Sequence, residues 1–372
     1  MAQSPSLESS LESSLESSAT SAAVPSERPD GPSVVFSFRP ADLIGKIMGA
    51  DAWRTLASVA AFDHDSNGGI PVVEDFHDPV HAERIAAASY IITGWGAEGL
   101  LDAAALDAMP KLRGIFAASG AADRIFADDR AKETARERGV ALSNSGYLNG
   151  LPVAEYCFAN ILLANKSFFR AERMYHEQRG WGAWVDVQSV FANVGNYEKT
   201  VGLVCASSRI GRRLMTMLQM TRLDVLAYAI DMSADETASY GATKASLDEV
   251  MGRGDIVSLH APDIPPLRGM IGARELGLMK DGATLLNSAR GRVVDHDALI
   301  AELRTGRINA ILDVTWPEPL PGDSPLWDMP NVILTPHIAG STGSELHAMG
   351  LNVAEELARH TAGKPLKYRE EY

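Results

Sequence analysis

Four side chains late in the 372-residue chain have the types that carbonyl reduction needs, and each falls at or just beyond the end of an apolar run. Arg290 follows the run 283–287, and Asp313 closes the next one at 310–314, with Glu318 five residues on. His337 follows the run 332–334, after Thr335 and Pro336. A guanidinium offers a fixed fork of donors to a carboxylate and a neighbouring carbonyl oxygen. A histidine titrates near neutrality and can hand a proton to that oxygen as hydride reaches the carbon. A carboxylate beside the imidazole favours its charged, proton-carrying form. Arg290, Glu318 and His337 together therefore suit the reduction of a small 2-keto acid, or the reverse oxidation of the 2-hydroxy acid. Singly, each has a plainer explanation as a helix-entry arginine, a loop carboxylate between prolines and a loop histidine after a proline.

Hydride needs a carrier. Residues 200–211 read as a strand, a tight turn of small residues and a helix start, which aims backbone N–H groups at a pyrophosphate. The glycine fingerprint of such turns is worn. Ala206 and Ser208 occupy the first two glycine positions, Gly211 the third, and one extra residue fits in the turn. A plain strand–helix turn is the alternative. Asp231 lies twenty residues after Gly211, at the end of the next run. A carboxylate there bonds adenosine ribose hydroxyls and repels a 2′-phosphate, so NAD is expected over NADP. Its plainer role is to cap the helix that follows. His260 lines the nicotinamide side or serves the fold. His64, His77 and His81, in an acidic stretch, read as scattered surface residues, and no metal site is expected.

The elements that must position these groups are legible as alternation. Apolar runs at 33–38, 90–93, 112–117 and 140–143 alternate with helical patterns such as 80–88 and 128–138. Pro152 is expected to open a helix through about residue 169. Residues 170–199, with Trp181, Trp184, Phe191 and Tyr197, have no clear period and read as an excursion from the sheet or a surface loop. A second series of six runs (201–205, 224–230, 256–260, 283–287, 310–314 and 332–334) gives the doubly wound dinucleotide-binding arrangement. Ser246 and Glu249 have capping-box spacing, and Asp295 can cap the helix after it. Leu346, Met349, Val353 and Leu357 share one face of a last helix.

The balance of 34 basic against 48 acidic side chains leaves −14, which disfavours nucleic acid and anionic lipid as partners. No apolar run approaches the roughly 20 residues that span a bilayer. Cys157 and Cys205 have no disulfide or metal framework around them. A cytoplasmic location is expected. Residues 1–32, which repeat Ser-Leu-Glu-Ser three times over 6–17, read as a disordered tail, with neither the basic start nor the apolar stretch of a secretory signal.

Three segments, 287–295, 312–320 and 324–342, resemble the D-isomer-specific 2-hydroxyacid dehydrogenases. Val153-Ala-Glu155, Ser258-Leu-His-Ala-Pro262 and the Arg209-Ile-Gly211 turn fit the same pattern. The resemblance implies two α/β parallel-sheet domains, a Rossmann NAD-binding domain (148–338) inserted into a flavodoxin-like substrate domain (33–147 and 339–372). It implies that Arg290 binds the substrate carboxylate and carbonyl, that His337 is the acid/base and that Glu318 is its partner. The Arg209 and Ile210 amides, between Ser208 and Gly211, would hold the pyrophosphate, Asp231 the ribose and Asp313 the nicotinamide carboxamide. His260, Ala289 and Gly340 join this cofactor set. Ser119 and Gly120, in a loop that matches loosely, would meet the substrate carboxylate. It also implies a homodimer. Formate or phosphite oxidation on the same scaffold is a second chemistry, though formate enzymes pair the histidine with glutamine. An NAD-sensing regulatory or scaffold protein is the non-enzyme alternative.

Overall fold

Strands buried on both faces are what a parallel sheet covered by helices requires, and the first four runs meet that condition. The computed structural model describes residues 31–65, 68–179, 188–189, 191 and 194–372. The serine-rich tail to residue 30, Trp181 and Trp184 lie outside the described residues. The chain divides into two units. One runs to Tyr147 and resumes over Gly343–Tyr372; the other is Leu148–Thr342.

In the first unit, β1 (Val34–Ser37), β2 (Tyr90–Thr93), β3 (Gly114–Ala117) and β4 (Ala141–Asn144) pair in parallel in that order. Val35, Ile91, Ile115 and Leu142 lie in its core. The sheet is not wholly parallel: a C-terminal strand, Arg369–Glu370, adds antiparallel to β4. Two charged residues on a sheet edge carry no apolar signal, so periodicity could not announce them. The helix Leu346–Thr361 buries Met349, Val353 and Leu357 and packs on the helix Ala50–Ala57. Gly350 lets it also approach the end of the helix Leu43–Ile47, since a Cβ there would fall 2.1 Å from the Ile47 carbonyl oxygen.

The second unit is a seven-stranded parallel sheet. Its strands are β5 (Thr200–Val204), β6 (Asp224–Tyr228), β7 (Thr243–Lys244), β8 (Ile256–Leu259), β9 (Thr284–Asn287), β10 (Asn309–Leu312) and β11 (Val332–Leu334). Their order is β11-β10-β9-β8-β5-β6-β7, with the reversal between β5 and β8. Open α/β sheets take ligands at the carboxyl ends around such a reversal. The six expected strands are present; β7 is added, a two-residue exposed edge strand. Ser246 and Glu249 form the capping box, and Asp295 accepts the Ala298 N–H.

Pro152 does not open its helix. The helix spans Gly146–Asn165 with Pro152 inside it, and a second, Phe168–Gln178, follows Ser167, whose φ of 49° breaks the first. The start lies earlier because Asn144 Oδ1 accepts the Gly146 N–H at 2.8 Å, turning the chain into helix directly after β4. Proline then forgoes one internal hydrogen bond, which a long buried helix tolerates. Among the described residues no helix is long and apolar enough to cross a membrane.

Candidate active site

The carboxyl ends of β9, β10 and β11 place the Arg290, Asp313–Glu318 and His337 segments on one edge of the second unit's sheet. The central contact is between Glu318 and His337: imidazole Nδ1 lies 2.7 Å from carboxylate Oε1, with both side chains substantially exposed. Nδ1 is thereby committed to the carboxylate, which leaves Nε2 as the ring position for proton exchange with another molecule.

His337 has a left-handed backbone, with φ of 56°. For a residue with a Cβ this costs about 1–2 kcal/mol and persists only where the surroundings over-determine it. Asp313 supplies that restraint. Its side chain is 2% exposed. Its Oδ1 accepts the Thr335 hydroxyl at 2.5 Å and the Ile338 N–H at 2.8 Å, its Oδ2 accepts the Ala339 N–H at 2.9 Å, and its carbonyl accepts the His337 N–H at 3.0 Å. Both oxygens of the carboxylate assigned by resemblance to the cofactor's carboxamide are thus engaged in holding the 335–339 turn. Tyr156, from the helix Gly146–Asn165, donates to the Thr335 hydroxyl at 2.8 Å, and burial pushes the Tyr156 phenol pKa up, keeping it protonated.

Arg290 stands exposed at the end of the β9 connection, with one guanidinium N–H donating to the Ala289 carbonyl at 2.6 Å. Buried Asn287 shapes that connection: its Nδ2 donates to the Arg290 carbonyl and its Oδ1 accepts the N–H of buried Ala289. Gly291 lets this turn rest against the next one, since a Cβ would fall 1.9 Å from the Thr315 carbonyl oxygen. Asp263 lies near by. The Arg268 guanidinium bonded to it, with the charges of Arg292 and Arg290, holds its pKa below the usual carboxylate range. Gly340 packs on Asn149, whose Oδ1 accepts the Ser341 N–H at 2.8 Å.

At the reversal, β5 runs into a turn and the helix Arg209–Leu218. Ser208 caps this helix, its hydroxyl accepting the Gly211 N–H at 3.0 Å, which leaves the amides of Arg209 and Ile210 in the open first turn. Gly211 sits so close beneath Ala206 that a Cβ would lie 2.4 Å from its carbonyl oxygen. The residue with the left-handed backbone is Cys205, at φ 57°, one position before Ala206. Asp231 lies beyond the end of β6, in the turn after it. Ser233, not Asp231, caps the following helix. The Ser207 hydroxyl beside Asp231 holds its carboxyl below the usual range. The worn loop and the acidic turn are therefore joined.

His260 follows β8, 5% exposed, with no hydrogen-bond partner for Nε2 among the described residues; burial lowers its pKa to about 4. An unsatisfied buried nitrogen costs about 1–3 kcal/mol. Its position beside the reversal, with the open first turn and the close-set Gly211, fits a bound dinucleotide. Cys157 lies 3.0 Å from Ser288, and burial raises its thiol pKa to about 11, which excludes it as a nucleophile.

In the first unit, Ser119 is buried and donates to the Ala121 carbonyl at 3.1 Å, while Gly120 is exposed with open space around it. The amides that follow are already occupied. Glu370, from the antiparallel edge strand, accepts the Ala122 N–H at 2.6 Å and the Asp123 N–H at 3.3 Å. His77 lies 3.0 Å from Asp102, His81 2.8 Å from Arg84 and His64 3.3 Å from the Gly68 carbonyl. Among the described residues no group of three or more metal-ligating side chains is gathered.

Asn149, Tyr156 and Glu370 lay outside the motifs, and Asn287 and Gly291, inside the 287–295 segment, were given no role there. Only Gly291 had a local signal, its place between two arginines. Tyr156 meets a partner 179 residues away in sequence, which no local spacing reveals.

Comparison with known proteins gives a consistent picture. The family model described as D-isomer specific 2-hydroxyacid dehydrogenase, NAD binding domain, matches residues 158–339. A glyoxylate reductase of Korarchaeum cryptofilum is 31% identical over 265 residues, 71% of this chain and 77% of that protein. A D-3-phosphoglycerate dehydrogenase of Mycobacterium leprae is also 31% identical over 265 residues, 71% of this chain but 48% of that protein. The chain thus spans about half the length of the phosphoglycerate dehydrogenases it matches. The solved D-mandelate dehydrogenase of Rhodotorula graminis superposes with a TM-score of 0.71 at 22% identity, covering 92% of this chain and 98% of that one. That likeness is one of fold.

Proposed function

The chain belongs to the D-isomer-specific 2-hydroxyacid dehydrogenase family, and on that premise we propose that it interconverts a small 2-keto acid and its D-2-hydroxy acid with NAD(H). The observation that carries this reading is the 2.7 Å Glu318–His337 couple on the sheet edge that also holds Arg290. NADH, when bound, supplies the hydride. The amides of Arg209 and Ile210, with Ser208 and Gly211, hold its pyrophosphate, and Asp231 holds the adenosine ribose and disfavours a 2′-phosphate. His260, Ala289 and Gly340 line the cofactor.

The rest of the step belongs to this chain's own side chains. Arg290 grips the substrate carboxylate and polarises the neighbouring carbonyl. His337 gives its Nε2 proton to the carbonyl oxygen as the carbon is reduced, while its Nδ1–H stays hydrogen-bonded to Glu318, which holds the ring in place. In the oxidation, neutral Nε2 takes the hydroxyl proton. The family also supports a homodimer, which sedimentation would test.

The test is NADH consumption with glyoxylate, hydroxypyruvate and pyruvate, repeated with NADPH. Turnover is expected on at least one acid, and His337→Ala should lower kcat by about 10²–10⁴-fold, the usual worth of a positioned general acid. NADH binding without turnover on any keto acid would instead favour the sensor reading.

A further inference from the structure

Two hydrogen bonds define the state of His296, a residue no motif singled out. Its Nδ1 lies 3.1 Å from the Val294 carbonyl, so it is the donor, and its Nε2 lies 3.0 Å from the Trp316 backbone nitrogen, so it is the acceptor. Trp316 opens the short turn that carries Glu318. Other contacts also hold that turn. Thr315 donates to the Pro317 carbonyl at 2.9 Å, the Arg292 guanidinium lies 3.5 Å from the centre of the Trp316 ring, and Gly291 abuts the Thr315 backbone.

We propose that His296 is a positioning residue: its neutral imidazole, as acceptor for the Trp316 amide, fixes the turn that holds Glu318 against His337. The inference rests on the dehydrogenase reading for its kinetic consequences only. A second proton on His296 would convert Nε2 from acceptor to donor and set two N–H groups against each other, releasing the turn. The charged groups that act on the ring are Asp295 and Asp297, beside it in sequence, and Arg292 lies over the Trp316 indole. Burial is the strongest influence and, against the pull of the two carboxylates, lowers the His296 pKa below its ordinary value. The clamp is therefore closed at neutral pH and opens on acidification below the usual histidine range.

The experiment compares His296→Leu, which removes the acceptor, with His296→Gln, which keeps one at similar reach. The Leu variant should lose roughly tenfold or more in kcat, as expected for a lost bond that orders the acid/base couple, with the NADH KM little changed. The Gln variant should recover most of kcat, and its activity should fall at lower pH than that of the unmodified protein. Amide exchange at Trp316 should accelerate about tenfold in the Leu variant and stay slow in the Gln variant. Should the Leu variant fail to fold, His296→Asn, too short to reach Trp316, takes its place. Unchanged Trp316 exchange in the variant without an acceptor overturns the clamp, as does a lowered melting temperature with kcat and pH profile intact. If the unmodified protein turns over no keto acid, the reaction reading fails, and the exchange comparison still decides the clamp.

Discussion

Replacing Asp313 by Asn keeps the shape of the group behind His337 and removes its charge and one of its two acceptor oxygens. The carboxylate, 2% exposed, accepts three protein donors at 2.5, 2.8 and 2.9 Å. If the amide oxygen keeps Thr335 and Ile338, the NH₂ group faces the Ala339 N–H, donor against donor. A hydrogen bond to a charged acceptor is worth about 1.5–3 kcal/mol, and a buried amide left unpaired costs about 1–3 kcal/mol. Burying a neutral amide in place of a carboxylate returns part of this, so a net loss of about 2–4 kcal/mol is expected. The same bonds hold the left-handed His337, so relaxation of its backbone should lower kcat by about a hundredfold or more, since misplacement of a catalytic group by an ångström costs that much. Urea unfolding followed by tryptophan fluorescence measures the first effect, as a midpoint shift of roughly 1 M. Steady-state NADH oxidation measures the second. A midpoint within error of the unmodified protein, with kcat within a factor of three or so, would refute the claim that this carboxylate sets the imidazole.

Three other outcomes are expected. Gly291→Ala puts a Cβ 1.9 Å from the Thr315 carbonyl oxygen, so it should destabilise by about 1–3 kcal/mol and raise the keto-acid KM through Arg290; Gly277→Ala, with nothing within 4 Å, is the thermal-melt control and should not destabilise. Asp231→Ala should raise the NADH KM about tenfold, the worth of one hydrogen bond to a charged group, and admit NADPH, because the charges of Arg212 and Lys244 already reach that position. His260 is neutral in the fold with a pKa of about 4, whereas the unfolded chain takes up the proton near pH 6.5, so its contribution to stability is complete above pH 6.5. That contribution is lost as pH falls from 6.5 towards 4, by about 3 kcal/mol. Urea titrations at pH 7 and pH 4.5 should show a smaller difference for His260→Leu than for the unmodified chain; equal differences would contradict the assignment.

How much was legible beforehand depended on whether the signal was local. Buried strands advertise themselves as apolar runs, caps as short spacings and the Arg290, Glu318 and His337 candidates as polar residues just past those runs, because each depends on neighbours in sequence. The edge strands Thr243–Lys244 and Arg369–Glu370 were invisible for the opposite reason: they bury no apolar side chain and depend on partners distant in sequence. The start of the helix at Gly146 was missed although its signal is local: Asn144 accepts the N–H two residues on, whereas the reading placed the start at Pro152.

The amino-acid order determined which groups were available for chemistry and on which sheet edge they would emerge, since alternation of apolar runs dictates a parallel sheet and a parallel sheet puts all its carboxyl ends on one side. Only the tertiary structure decided what those groups do there. It bent Glu318 back onto His337, engaged both oxygens of Asp313 in the His337 turn, occupied the Ala122 and Asp123 amides with Glu370 and left the His260 Nε2 without a partner among the described residues. Hydrogen bonds reach about 3 Å in space whatever the separation along the chain, so partners far apart in sequence, as these are, are chosen by the packed fold.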